Sequence, residues 1–249
     1  MTTGGAWHCP PRRIALGIDF GPASARAAAL AGVLAEAFTA HVVAIHAEPF
    51  APPPYFTLDQ VDRLEEERRL AAAATIAEMR AFLGTASGAA FDTVVANAEP
   101  VEGLFEHAAG ADLIAIGTHG RRGAGRWWLG SVADRIVRAS AVPVLVTHAE
   151  SAASADVFAR IGVFADGTAG GDARACAAAL AAAFNGQVVE AGAVETCRPD
   201  ALASVSMVVV STGAATNGRP ATHLIGAALT GCTQPVLFIP AGRRDDGRM

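Results

Sequence analysis

Along its first 150 residues the chain alternates short, nearly unbroken apolar runs with longer stretches in which apolar positions recur at helical spacing. Arg13 to Ile18 is such a run, closed by Asp19, and Ala23 to Phe38 follows with helical spacing, so the first unit reads strand, loop, helix. His41 to Ala47 predicts a second strand and Pro49 to Pro54 a proline-rich loop. Leu58 to Leu83 predicts a long helix whose Leu58, Val61, Leu64, Ala71 and Ala74 form a buried face, with Glu65 to Arg69 on the solvated side. Phe91 to Ala96 reads as a third strand, Val101 to Ala109 as a short helix and Asp112 to Gly117 as a fourth strand. The glycine segment Gly117 to Gly130 then leads to a helix from Ser131 to Arg138 and a fifth strand, Pro143 to Thr147. Strands that are continuous apolar runs, separated by helices, imply a parallel sheet covered on both faces.

After a small, polar linker from Ala149 to Ala155 the pattern restarts. Ile161 to Asp166 echoes Ile14 to Asp19, Asp172 to Phe184 is again an alanine-rich helix, and Gln234 to Ile239 echoes Val142 to Thr147. Residues 1–150 therefore form a first domain, 156–241 a shorter second copy, and 242–249 a tail. The second copy lacks a counterpart of the long helix and proline loop. Its Asp166 survives, but Thr222 and His223 stand where the first copy has Gly130 and Ser131, so phosphate binding is expected in the first half alone.

Composition narrows the chemistry. The net charge of −5 argues against nucleic acid or an anionic membrane as the main partner. All 19 basic residues are arginine, which excludes a Walker A lysine, a Schiff base and pyridoxal phosphate. No apolar stretch is long enough to span a bilayer, and residues 1–13 lack a signal-peptide core, so the expected compartment is the cytoplasm. Cys9, Cys176, Cys197 and Cys232 are scattered without a CxxC pair and read as buried or incidental thiols rather than a zinc site or disulfide framework. His46 and His119 read as structural histidines, and Trp127 and Trp128 as packing residues.

In an open parallel sheet, ligands sit beyond the carboxyl ends of the strands, where strand order reverses. Asp19 ends the first strand and Gly117 the fourth, so both face one crevice if those strands are neighbours. Gly117 and Gly120 allow close backbone approach, while Gly130 and Ser131 open a helix whose exposed amides and dipole suit phosphate. The Ser131 hydroxyl can add a hydrogen bond or cap that helix. Arg121 and Arg122 can add charge-assisted bonds to a triphosphate.

The spacing Gly117, two residues, Gly120, nine residues, Gly130, Ser131, together with Asp19, the segments DLIAIGTHGRRG and LGSVADRIV and the terminal PVLV, closely resembles the ATP-binding branch of the universal stress protein family. The resemblance covers the first half. It implies an α/β, Rossmann-like fold with tandem five-stranded parallel sheets in the order 3-2-1-4-5, the second shortened and degenerate, and dimerisation through the last strand. It implies ATP, or ADP or AMP, with Mg2+, as the ligand. The backbone around Ile18 and Ala47 would hold adenine, Asp19 would meet the ribose, Ile116 and Gly117 would lie beside the sugar, and Gly120, Gly130, Ser131 and Val132 would surround the phosphates. Gly21 and Pro22 stand where the family often has a serine that begins the helix, and Ala47 is smaller than its frequent valine. The function so implied is a nucleotide-responsive regulatory or stress-resistance factor without dedicated catalysis; a slow ATPase or phosphotransferase, and an interaction module without nucleotide, are the alternatives. The second half is expected to pair with the first through Val144 to Thr147 and Val236 to Ile239, as an intramolecular pseudo-dimer, with a homodimer of whole chains also open.

Overall fold

In the computed structural model, which describes residues 7–50, 58–118, 130–165, 170–192, 202–211 and 232–240, strand β1 (Arg13–Gly17) lies between β2 (His41–Ala47) and β4 (Leu113–Gly117). Outside these run β3 (Asp92–Ala96) and β5 (Val144–Thr147), so the first half is a parallel sheet in the order β3-β2-β1-β4-β5. Beyond β5 the sheet continues through β9 (Val236–Ile239), β8 (Met207–Ser211), β6 (Arg160–Phe164) and β7 (Gln187–Gly192). The two halves thus share one mixed sheet rather than holding separate parallel ones. Only the β5–β9 step is antiparallel, with Val144 opposite Phe238, Leu145 opposite Leu237 and Val146 opposite Val236. All six of these side chains are at most 3% exposed. Full burial of such a side chain contributes roughly 1.5–3 kcal/mol, against about 1 kcal/mol net for a hydrogen bond, so packing chiefly holds the seam.

Helix α1 (Pro22–Phe38) starts on Gly21 with Pro22 at its first position, where a missing N–H costs nothing, and ends on Thr39 in the left-handed region at φ 53°. Its inward face is rich in small residues (Ala23, Ser24, Ala27, Ala28, Ala31, Gly32), which lets it lie close across the sheet. Together with α2 (Leu58–Ala86) and α5 (Gly171–Ala183) it covers one face; α3 (Pro100–His107) and α4 (Ser131–Ala139) cover the other. The first of these cores runs across both halves: the Phe184 ring meets Phe38 edge-on at 5.9 Å and stacks on Phe158 at 4.4 Å.

Two further expectations change. The face of α2 predicted to be buried is not: Val61, Ala71 and Ala74 are exposed and Leu64 is half-buried, while the side chains that α2 buries are Met79 and Leu83. A helix of 29 residues is about 43 Å long and overshoots strands of about 20 Å, so only its later turns meet α1 and β3. Second, Cys9 and Cys176 are joined in a disulfide and are not incidental thiols; scattered spacing said nothing about proximity, which the fold creates across 167 residues. The structure adds one feature that the sequence pattern did not address: the segment before β1 is part of the core. Trp7 is wholly buried, and the Asp112 carboxylate accepts the N–H groups of His8, Arg12 and Arg13 at 2.9–3.0 Å. Strand β7, which the apolar pattern does not mark, completes the described second half.

Candidate functional site

The carboxyl ends of β1, β2 and β4 converge at the point where the chain's strand order reverses, because β1 pairs directly with β4, Leu16 lying opposite Ala115. Ile18 extends β1 by one bond, its N–H donating to Ile45 O at 2.9 Å. Its carbonyl oxygen lies 2.8 Å from His46 Nδ1, so that histidine supports the backbone around Ile18. Asp19 is exposed, and its Oδ1 accepts the Gly21 N–H at 2.9 Å, which fixes the carboxylate at the entry to α1. Phe20, between them, has φ 59°, a left-handed conformation uncommon outside glycine, and its ring packs against His46 at 4.9 Å and Phe82 at 5.6 Å. That contact repays part of the cost of the turn that holds Asp19 outward.

Ala47 ends β2 opposite Ala96. A Cβ placed on Gly103 of α3 would come within 3.3 Å of the Ala47 Cβ and 2.9 Å of the Ala96 Cβ. The small residue at 47 therefore matches a close crossing of α3, a reason for it that involves no ligand. Ile116 is buried by packing: its Cγ2 lies 3.1 Å from where Gly17 would carry a Cβ. What these two residues offer a ligand is backbone.

Gly117 is required for a different reason than the sequence suggests. A Cβ there would overlap the backbone of Ala23 and Ser24 in the first turn of α1. The glycine serves helix-on-strand contact before any ligand. Thr147, opposite Gly117, ties the same turn down with a hydroxyl bond to Ala23 O at 2.8 Å.

Thr118, 4% exposed, is the residue that sequence reasoning passed over. Its N–H donates to Thr147 O at 2.9 Å, and its Oγ1 accepts the Gly130 N–H at 2.9 Å. Gly120 and Arg121 lie outside the described residues. A small polar residue directly after a strand-ending glycine was the available signal. Gly130 is the N-cap of α4 and makes no side-chain cap bond, so Ser131 is the first helical residue and not the cap. Ser131 is exposed and Val132 is 39% exposed, leaving the first amides of α4 at the surface with the positive end of its dipole.

The site so built offers an exposed carboxylate, the ends of two strands and an open helix N-terminus on one rim. That donor set fits a nucleoside phosphate: a carboxylate for hydroxyl groups and amides for phosphoryl oxygens. Among the described residues no cluster of three or more His, Cys, Asp or Glu could hold a metal by itself, and no helix is long and apolar enough to cross a membrane.

Comparison with known proteins places this geometry in context. The model of the universal stress protein family matches residues 11–148. A universal stress protein of Thermus aquaticus, from the region 3′ of a QAH/OAS sulfhydrylase, is 31% identical over 140 residues, covering 55% of this chain and 98% of that one. A universal stress protein structure from Archaeoglobus fulgidus superposes with a TM-score of 0.64 at 15% identity, covering 97% of this chain and 99% of the other. A functionally unknown protein of Pseudomonas aeruginosa gives 0.59 at 12% identity, over 93% of each chain. The last two show the fold of the whole chain.

Proposed function

The chain belongs to the universal stress protein family, and we propose that within a stress-response regulatory role its first half binds one adenine nucleotide, ATP or else ADP or AMP, as a signal rather than a substrate. The observation that carries this reading is the single rim formed by Asp19 and the α4 N-terminus across neighbouring strands β1 and β4. Asp19 would receive ribose hydroxyls, the backbone of Ile18 and Ala47 would border the adenine, Ile116 and Gly117 would flank the sugar, and the amides of Ser131 and Val132 would face the phosphates. Gly120, Arg121 and Gly130 would complete the phosphate side, with Mg2+ held by the triphosphate itself. In this reading Asp19, held at the entry to α1 by the Gly21 N–H, is a positioning group.

The second half, on the same reading, replaces the second subunit of a dimer. Support comes from the antiparallel pairing of β5 with β9, and from the succession β9-β8-β6-β7, which follows that of β5-β4-β1-β2. The proposed compartment is the cytoplasm.

The test is to denature freshly purified protein and identify released nucleotide, then repeat with Gly130→Val. Gly130 has φ −53°, which any residue adopts, so this substitution perturbs the phosphate side without backbone strain. Adenine nucleotide in the wild type and its loss in the variant are expected. An empty wild type with no thermal shift in ATP and Mg2+ sinks the proposal.

A further inference from the structure

Cys9 stands just before β1, and Cys176 in the middle of α5, so their bond joins the first half to the second at a point remote from the nucleotide rim. Their Cα atoms are 5.5 Å apart, within the span that a disulfide bridges without backbone movement. The segment carrying Cys9 is a strap with anchors of its own. Trp7 is buried on one side, and on the other the Asp112 carboxylate receives the N–H groups of Arg12 and Arg13, while His8 N–H meets its second oxygen. Under the strap lies a small cavity of about 20 Å³, bordered by His8, Pro11, Asp112, Phe158, Leu180 and Leu237 from both halves.

We propose that Cys9 and Cys176 are a reversible thiol–disulfide site, which when oxidised fastens the strap at residues 7–12 onto α5 and when reduced by a dithiol lets the strap open over the apolar seam between the halves. The strap's own anchors are the reason for reversibility. With the bond broken, the Trp7 burial and the Asp112 bonds re-form each time the strap closes, which returns the Cys9 thiol to Cys176, so oxidation can join the same pair again. The seam's β5–β9 pairing involves neither cysteine, so the sheet survives reduction.

In the exchange, a thiolate of the dithiol attacks the Cys9 sulfur, the more exposed at 8% against 2% for Cys176. The S–S bond breaks, and Cys176 leaves as a thiolate that takes up a proton. The reagent's second thiol then attacks the mixed disulfide, releasing Cys9 as a thiol and leaving the reagent as its own disulfide. Two electrons and two protons pass to the protein.

The test uses the full chain with Cys197 and Cys232 replaced by serine, oxidised in air and then reduced with dithiothreitol. A peptide linking Cys9 to Cys176 is expected in the oxidised sample and absent after reduction. Hydrogen exchange at the amides of His8, Arg12 and Arg13, the three bonded to Asp112, should quicken about tenfold or more on reduction and slow again on reoxidation. The melting temperature should fall by roughly 5–15 °C, as expected for losing a cross-link over a long loop. Cys9→Ser should match the reduced protein and ignore the reagent. The proposal is overturned if no linked peptide is recovered, if exchange at those amides is unmoved by reduction, or if Cys9→Ser still responds. Should Cys9→Ser fail to fold, exchange in the cysteine-pair protein with and without reagent still decides.

Discussion

The Thr118 hydroxyl oxygen receives the Gly130 N–H at 2.9 Å, so the chain leaves β4 and enters α4 at one buried point. Thr118→Val keeps the side chain's shape and removes the acceptor. The orphaned N–H should cost about 1–2 kcal/mol in urea unfolding and weaken nucleotide binding by loosening the α4 entry. Thr118→Ser should restore most of both. Equal stability of all three proteins would show that the bond positions nothing.

Gly117 offers a second measurement, because its space is occupied by the backbone of Ala23 and Ser24. Gly117→Ala should destabilise the nucleotide-free protein by about 1–3 kcal/mol, the usual range for overpacking. Gly84 in α2, where a Cβ meets nothing within 4 Å, is the control: Gly84→Ala should be neutral or stabilise by up to about 1 kcal/mol. A Gly117→Ala protein as stable as the wild type would mean that the glycine serves the ligand alone.

For nucleotide binding, titration calorimetry should give one site per chain. Asp19→Ala should weaken ATP by roughly 10- to 100-fold, the loss of hydrogen bonds to a charged group. Asp19→Asn keeps an oxygen for the Gly21 N–H, so the turn survives while the charge goes. A stoichiometry of two would contradict the restriction to the first half. ATP turnover that persists unchanged in Asp19→Ala would come from another site or a contaminant.

His148, 4% exposed after β5, carries a pH dependence. Burial lowers its pKa from 6.5 to about 3, because the charged imidazolium is desolvated there. Below pH 6.5 the unfolded chain takes up a proton that the folded one refuses, so the stability present above 6.5 is lost progressively as pH falls towards 3. The slope has a ceiling of about 1.4 kcal/mol per pH unit. Comparing urea unfolding at several pH values between 7 and 5, the wild type should lose stability more steeply than His148→Asn. Parallel profiles would remove the histidine from the account.

Much of the fold was legible because a parallel sheet buries its strands on both faces. Arg13 to Ile18, His41 to Ala47 and Asp112 to Gly117 had to be apolar runs, and local spacing alone separates them from α1 with its alanine face. The crevice was legible for a related reason: an aspartate and a glycine closing two strands can be placed once strand order is expected. Boundaries moved by a residue or two, as at α3, expected to run from Val101 to Ala109 and found at Pro100–His107. Helix α2 was misjudged because apolar spacing records which side chains could face a core, and not how far the sheet extends to meet them.

By itself, then, the sequence determined the elements, the alternation of strand and helix, and the residues collected at the strand ends, since all of these follow from interactions within a few residues of chain. Only the tertiary structure decided why Gly117 must be glycine, that the Thr118 hydroxyl meets the Gly130 N–H, that Trp7 is core, and that Cys9 meets Cys176. Each depends on two backbones approaching from distant parts of the chain, and that distance is set by the packing of α1, α5 and the shared sheet, which no local pattern encodes.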